Sequence, residues 1–551
     1  MADRRIESYD ATLRESKQGM GINFGVEALV AIIGLLDRLG VDLIETGWPG
    51  ANRAWDQLYS AIKEGSLPEL KNSKLVAFAS TRRAKKTVRD DKLFVKLIEA
   101  PVDVLTVFGK SWLAHVSKAL RTTPQENLNM VNDSMRAITQ SGHRGVFDAE
   151  HFFQGFKVDG GTYALEVLSA ALEGGADTLV LCDTNGIAYP WEVESIVSQV
   201  VEKFGDQAKI GVHLHGDRGL DVANTITALR SGANHFQGTI NGYSERVRMA
   251  CTIEVLANLH LLSQEGHDWA SLNPAFNSEL LKETSREVDR WAGLHPYQRK
   301  PFVGRCCSTH KAGVHVSGGQ RAGYELYESH DPHQFGRRRH VVVSGMSGKS
   351  NVIAFTKAVW DSDVSDNCDF INAVLAEIEG KESQGYSFDS CSGSAALLVG
   401  RMLWPKAPNF KPAGYHFHHS PTSLPGELMA TITVDSQHPT NKGDGPVDAL
   451  ANAALTFLIP KHSCLKGLGL DDYTPYKLRV PGKEGTASAM RVEIDWVHDQ
   501  IGSFTTQGVS TNIINASFEA IVEAIELVLI KQWRQEVSTK GADTAEVGQL
   551  S

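Results

Sequence analysis

The chain has 551 residues, 42% of them hydrophobic and 22% charged, a composition typical of a globular protein with roughly two to four domains. Its formal net charge of -10 disfavours nucleic-acid and membrane partners, and no apolar run approaches membrane-spanning length. The seven cysteines lack the spacing of a disulfide framework, so we expect reduced thiols and a cytoplasmic enzyme.

The first half of the chain alternates short apolar runs with longer amphipathic stretches. The stretches 26–40, 163–175 and 190–205 carry apolar residues at helical spacing. Eight such strand–helix units over about 260 residues predict a (β/α)8 TIM barrel. A doubly wound open sheet is the alternative, but it usually has fewer strands and a glycine-rich turn after the first strand, which is missing here. The predicted strands are residues 6–13, 41–48, 74–81, 102–109, 145–152, 177–184, 210–217 and 235–242.

Unusual polar residues stand where these predicted strands end. Catalytic side chains of TIM barrels gather at this carboxyl-terminal face, so their shared position indicates an active site. These residues are Arg14, Glu15, Glu45, Ser80, Thr81, Arg82, Lys110, Asp148, Glu150, Asp183, Thr184, Asn185, His213, His215, Asn241, Glu245 and Arg246.

The stretch VHLHGD, residues 212–217, suggests half of a metal site. His213 and His215 are two residues apart, so their imidazoles face the same side of a strand. Two imidazoles and one carboxylate form an open divalent-metal site, and Glu15 is the leading third ligand. The alternative for Glu15 is a solvated loop glutamate. Arg14 would stabilise developing negative charge, or else form a structural ion pair with Glu45.

Several stretches together resemble the DRE-TIM metallolyase superfamily and, within it, the citramalate synthase family, which is related to 2-isopropylmalate and homocitrate synthases. The resemblance covers nearly the whole chain, in order. The matching stretches are YDATLRESKQG, IETGWPGAN, LVAFASTRR, LTVFGKSW, FDAEHFFQG, LCDTNG, HLHGDRG, QGTINGYSER, PFVGRCCSTHKAGVHVSG, GRRRHVVVSGMSGKSNV, GYSFD, GDGPVDAL and GVSTNIINASFEAI.

This resemblance implies an acyltransferase that condenses acetyl-CoA, as co-substrate, with a 2-oxo acid and then hydrolyses the thioester. The implied cofactor is a divalent metal (Mg, Mn or Zn), which would polarise the keto group. Pyruvate is the first expectation for the 2-oxo acid. The alternatives are a branched, aromatic or dicarboxylic 2-oxo acid, or a non-catalytic homologue that binds an amino acid.

The resemblance also assigns roles to individual residues. In relatives a histidine and a tyrosine after the barrel assist the chemistry, and His315 and Tyr327 match them here. Tyr324 is the alternative for the tyrosine, because the spacing from His315 differs slightly from that in relatives. The implied metal ligands are Glu15, His213 and His215, the implied catalytic residues are Arg14, Glu150, His315 and Tyr327, and the implied substrate contacts are Arg14, Asp148, Thr184 and Arg248.

The chain departs from the citramalate synthase pattern around the expected pocket. Glu15 replaces an aspartate, and Met249 replaces an asparagine at or near the metal. Gly216 replaces the asparagine of HxHND, while Ser244 and Arg248 replace glycines. These changes favour a different or larger 2-oxo acid, with Arg248 binding a second carboxylate. The alternative for Arg248 is a surface ion pair with Glu245 or Glu254.

The predicted domains are the barrel at 1–265, a linker and catalytic subdomain at 266–404, a regulatory-type α+β domain at 405–535 and a flexible tail at 536–551. The third contains two similar strand-then-helix units, which indicate a weak internal duplication. In relatives this domain dimerises and binds an amino-acid end product, so the resemblance implies a homodimer and an amino-acid effector.

Overall fold

The computed structural model describes residues 5–418, 427–478 and 488–539. The chain forms two compact units. The barrel unit comprises Met1–Ser308 and His330–Arg338, and the C-terminal unit comprises Thr309–Ser329 and Arg339–Ser551. The finer domain division predicted from the sequence remains a prediction.

The barrel unit contains eight parallel strands that close on themselves, which confirms the predicted TIM barrel. Each strand pairs with the next along the chain, and β1 pairs with β8. The strands are β1 Glu7–Asp10, β2 Leu43–Glu45, β3 Lys74–Ser80, β4 Val104–Lys110, β5 Arg144–Glu150, β6 Thr178–Asp183, β7 Lys209–Leu214 and β8 His235–Gly238.

Helices follow the strands, and their ends reflect local sequence signals. Thr123 caps α6 by accepting a hydrogen bond from the Glu126 amide, and Pro124 occupies the first helical position. The helices are α1 Thr12–Glu15, α2 Val26–Leu39, α3 Arg53–Lys63, α4 Lys92–Ile98, α5 Leu113–Lys118, α6 Pro124–Gln140, α7 Phe152–Asp159, α8 Thr162–Glu173, α9 Pro190–Phe204, α10 Asp221–Arg230, α11 Thr252–Gln264 and α12 Leu281–Ala292.

Apolar side chains fill the inside of the barrel, while a second set packs the strands against the helices. Parallel strands are buried on both faces, which explains why each appeared in the sequence as a nearly continuous apolar run. One cluster of buried side chains draws on six strands and includes Tyr9, Leu43, Val76, Val104, Val146 and Val180.

A charged network closes the amino-terminal end of the barrel around Glu7 in β1. Its carboxylate accepts hydrogen bonds from Arg144 at 2.6 and 2.7 Å, Lys209 at 2.8 Å and His235 at 2.9 Å. Burial by itself raises the pKa of Glu7, but the hydrogen bonds from His235 and Arg144 outweigh it and hold the pKa well below its usual range. The network therefore joins β1, β5, β7 and β8 at the end opposite the expected active site.

The C-terminal unit ends in a duplicated motif. The predicted strand-then-helix units are present, and each is a three-stranded antiparallel sheet followed by a helix. The strands are β9 Thr309–His310, β10 His340–Val341, β11 Gly414–His418, β12 Leu428–Thr433, β13 Thr440–Gly443, β14 Leu468–Lys477, β15 Met490–His498 and β16 Gly502–Ser510. The helices are α13 Gly313–Ala322, α14 Lys349–Trp360, α15 Cys368–Glu382, α16 Ser392–Leu403, α17 Pro446–Leu458 and α18 Ile513–Thr539.

The last helix extends into the segment predicted as a tail, and residues 540–551 lie outside the described residues. Among the helices of the three described ranges, none has the length and apolar character needed to span a membrane.

Candidate active site and metal centre

Glu15 reaches the barrel mouth from a short helical turn. The first strand was predicted to run to residue 13, but it ends at Asp10 and is followed by α1. The chain turns here because the Asp10 carboxylate accepts a hydrogen bond from the Thr12 amide at 3.0 Å. This turn buries Arg14 and Glu15 at the carboxyl-terminal end of β1, where only 6% and 3% of their surfaces are exposed.

Glu15, His213 and His215 meet in a buried cluster. One potential ligand atom from each residue lies within 4.8 Å of the other two. The two imidazole centroids are 5.3 Å apart, and Nε2 of His215 is 3.8 Å from Oε1 of Glu15. His213 is in β7, whereas His215 lies just beyond it, in a bridge to Met249. The structure thus brings the three predicted ligands together.

The protonation states of these three side chains suit the binding of a divalent cation. Burial lowers the pKa of both histidines, and that of His215 falls to about 4, so the imidazoles are neutral near pH 7. Burial raises the pKa of Glu15, but the neighbouring charges, with that of Arg14 the largest, together outweigh it and lower the pKa below its usual value. Two neutral imidazoles and one carboxylate are a ligand set used by zinc and other divalent metals.

Arg14 is fixed between two carboxylates. Its Nε and Nη2 donate to Glu45 at 2.5 and 3.1 Å, and its Nη1 donates to Glu15. The guanidinium also lies over the ring of Phe78, 3.9 Å from its centroid. The ion pair with Glu45, weighed as an alternative in the sequence, is therefore present. It holds a permanent positive charge beside the cluster.

A second polar group forms where β4, β5 and β6 end. Glu150 forms an ion pair with Lys110, and the hydroxyl of Thr184 accepts a hydrogen bond from the His151 amide at 3.0 Å. Arg246, in the loop after β8, donates to the carbonyl of Thr184 at 2.6 Å. The charge of Arg246 also contributes to the low pKa of Glu15. Arg246 therefore connects the second group electrostatically to the cluster.

Next to Glu150 lies a histidine pair that sequence reasoning missed. His151 is buried in the left-handed region, with φ 61°, and its ring centroid is 3.9 Å from that of His115. Burial, followed by the charge of His115, lowers the pKa of His151 to about 3, so the pair carries no charge at neutral pH. A left-handed histidine is a conformational strain often found near active sites. No sequence pattern predicts such a backbone conformation.

Asp148 and Gln237 form a buried relay to the cluster. Nδ1 of His213 is 2.7 Å from Oε1 of Gln237, whose Nε2 donates to Asp148 at 2.9 Å. Burial raises the pKa of Asp148 to about 8. The structure therefore pairs Asp148, predicted to contact substrate, with a protein amide. Gln237 was missed, although a glutamine inside a short buried strand was a visible signal.

Arg248 and Gly216, two departures from the family pattern, are neighbours. The guanidinium of Arg248 donates to Asp221 at 2.8 Å and to Glu254 at 3.1 Å. A Cβ on Gly216 would lie 2.5 Å from Oδ1 of Asp221 and 2.9 Å from Cγ of Arg248. The absence of a side chain at Gly216 thus leaves the space that the Arg248–Asp221 ion pair fills.

His315 and Tyr327 belong to the C-terminal unit and lie beside each other. Their ring centroids are 5.2 Å apart. Tyr324 instead packs against His310, with their ring centroids 5.2 Å apart. The Cζ atom of Arg339 lies over the Tyr324 ring, 4.7 Å from its centroid. The structure therefore brings Tyr327, rather than its rival Tyr324, next to His315.

Comparison with known protein families identifies two domains in this chain. Residues 5–288 match the HMGL-like family, and residues 413–529 match the LeuA allosteric (dimerisation) domain. The chain is therefore an HMGL-like barrel protein with a LeuA-type C-terminal domain.

The most similar proteins include two (R)-citramalate synthases. That of Sulfolobus acidocaldarius is 36% identical over 96% of this chain and 98% of its own, and that of Geobacter sulfurreducens is 36% identical over 97% and 99%. A 2-isopropylmalate synthase of Sediminispirochaeta smaragdinae is 27% identical over 82% and 86%. The chain belongs to the (R)-citramalate synthase family.

Proposed function

We propose that this protein is a divalent-metal-dependent citramalate synthase that condenses acetyl-CoA with pyruvate and hydrolyses the thioester to release citramalate and CoA. The observation that carries the proposal is the buried cluster of Glu15, His213 and His215 beside the fixed charge of Arg14. Full-length similarity to (R)-citramalate synthases supports the choice of reaction.

Glu15, His213 and His215 would hold the cation, whose chemistry when bound is to polarise the keto group of the 2-oxo acid. Arg14 stabilises the negative charge that develops on the keto oxygen as the new carbon–carbon bond forms. Its position requires little reorganisation, because Glu45 already holds the guanidinium through two hydrogen bonds. Thr184 binds the carboxylate of the 2-oxo acid. Glu150 takes part in the proton transfers of the bound 2-oxo acid.

The methyl group of acetyl-CoA is a weak carbon acid, so the condensation needs a positioned base. His315 and Tyr327 are our candidates for moving protons to and from the thioester. The proximity of their rings supports this assignment, because a histidine and a phenol in contact can exchange roles as acceptor and donor.

A larger 2-oxo acid is the second candidate substrate. Met249, fully buried and bridged to His215, supports it, because an apolar side chain stands where the family pattern has asparagine. Arg248 supports a dicarboxylic substrate less well, since Asp221 and Glu254 already bind its guanidinium.

A CoA-release assay tests both candidates. The full-length protein is incubated with acetyl-CoA, with Mg2+, Mn2+ or Zn2+ and with a panel of 2-oxo acids: pyruvate, 2-oxoisovalerate, 2-oxoglutarate and phenylpyruvate. We expect thiol release with pyruvate that a chelator abolishes and that His213→Ala lacks. If CoA is released with another 2-oxo acid but not with pyruvate, that acid is the substrate. No release with any acid, by protein shown to be folded, would support a non-catalytic homologue.

We further propose that the C-terminal unit forms a homodimer and binds an amino-acid effector, as its match to the LeuA domain supports. An open groove of about 640 Å3 offers a candidate effector site, with charged and aromatic residues in its lining. Light scattering of the full chain tests the dimer, and calorimetry with a panel of amino acids tests the effector. The groove is lined by residues that include Arg401, Phe410, Tyr415, Phe518, Glu519 and Glu526.

A further inference from the structure

Gln237 lies in β8 between a proposed metal ligand and a buried carboxyl group. It is completely buried, and in the strand register it stands opposite His213. Its Oε1 is 2.7 Å from Nδ1 of His213, and its Nε2 donates to Oδ1 of Asp148 at 2.9 Å. The side chain thus has one defined partner at each end.

The chemistry of the amide determines which nitrogen of His213 carries the hydrogen. A carboxamide donates through nitrogen and accepts through oxygen. Nε2 of Gln237 donates to Oδ1 of Asp148, and a carboxyl group keeps an accepting oxygen whether or not it is protonated. The Oε1 of Gln237 therefore faces His213 and can only accept. Nδ1 of His213 must therefore carry the hydrogen, which leaves the lone pair on Nε2. This is the form of imidazole that binds a metal.

The second histidine of the cluster lacks such a partner. Nδ1 of His215 is buried and has no hydrogen-bond partner within the described chain. Of the two imidazoles, only that of His213 is oriented through its other nitrogen by a neighbouring side chain. Removal of this hydrogen bond should therefore affect the metal site through His213 alone.

We propose that Gln237 is a positioning residue that fixes the tautomer and ring orientation of His213, with Asp148 setting the orientation of the amide. This inference rests on the proposed metal site, and it gives Asp148 a role through Gln237 rather than on the substrate. Such neighbours of metal ligands typically change metal affinity 10- to 100-fold when lost.

Calorimetric titration of the full-length protein with Mn2+, in the absence of substrates, tests the proposal. We expect Gln237→Met to weaken binding about 10- to 100-fold. Gln237→Glu should stay within about threefold of wild type, because its carboxylate accepts the same hydrogen. Gln154→Met is the matched control. Gln154 is also buried and donates to an aspartate, Asp183, at 3.3 Å, so its variant should bind Mn2+ within about twofold of wild type.

Unchanged Mn2+ affinity in folded Gln237→Met would overturn the proposal, and so would an equal loss in Gln154→Met, which would indicate a general structural effect. Nitrogen NMR of histidine-labelled, metal-free wild type provides a test that does not depend on the variants folding. Hydrogen on Nδ1 of His213 supports the proposal, and hydrogen on Nε2 overturns it. A wild type that binds no Mn2+ would overturn the metal site itself as well, which is a distinguishable result.

Discussion

The fit between Gly216 and Arg248 predicts that their substitutions are coupled. In Gly216→Asn, the new Cβ would lie 2.5 Å from Asp221 and 2.9 Å from Arg248, so the ion pair must shift. Overpacking of this kind costs about 1–3 kcal/mol in the free energy of unfolding. Arg248→Gly leaves the carboxylate of Asp221, a residue only 2% exposed, without its guanidinium, which costs about 3–5 kcal/mol.

The double variant Gly216→Asn/Arg248→Gly should cost less than the sum of the single variants. The asparagine occupies the volume that Arg248 vacates, and its amide can donate to Asp221. We expect a coupling energy of about 1–3 kcal/mol. Urea unfolding of the four proteins, followed by circular dichroism, measures it.

Gly219→Asn provides the control for this cycle. Gly219 lies in the same loop, but a Cβ there would have no atom within 4 Å, and asparagine tolerates its left-handed φ of 72°. Its combination with Arg248→Gly should be additive within about 0.5 kcal/mol. If Gly216→Asn and Arg248→Gly are equally additive, the reasoning about shared space is refuted.

Three further predictions concern the ends of the barrel and the proton-transfer pair. Because the folded state holds the pKa of Glu7 down, its contribution to stability is complete above its ordinary pKa near 4.5 and is lost as the pH falls toward the folded-state value. Urea titrations from about pH 5 to about pH 3 should therefore show a steeper loss for wild type than for Glu7→Gln, and parallel slopes would contradict this. Arg14→Lys should lower kcat by about 10²–10³ because a single ammonium nitrogen cannot reproduce the planar guanidinium that donates to Glu45 and Glu15 at once, and unchanged steady-state CoA release would exclude the role. Tyr327→Phe should lower kcat by at least about 10²-fold and Tyr324→Phe by much less, and the reverse order in the same assay would favour the rival assignment.

The barrel and the three members of the cluster could be predicted because their signals are local. Each buried parallel strand is an apolar run in the sequence, and functional side chains of such a barrel stand where those runs end. Glu15, His213 and His215 follow from this rule together with the preference of divalent metals for imidazole and carboxylate.

The remaining features depend on neighbours that the sequence does not reveal. The role of Gln237 requires the register between β7 and β8, which places it opposite His213. The pair of Arg248 and Asp221 joins residues on either side of β8. The turn at α1 interrupts the predicted first strand because the Asp10 carboxylate accepts a hydrogen bond from the Thr12 amide, which outweighs the β propensity of the segment.

The network around Glu7 has a consequence for how this fold can change over time. It connects four strands at their amino-terminal ends through one carboxylate. The loops that carry the Glu15, His213 and His215 cluster lie at the opposite ends of the strands. Closure of the barrel is thus secured at one rim, while new substrate preferences would arise at the other. We expect a library of random variants to tolerate exchanges in the loops after the strands and to reject most replacements of Glu7. In this chain, the residues that stabilise the barrel and the loops that can change its substrate preference lie at opposite ends of the same eight strands.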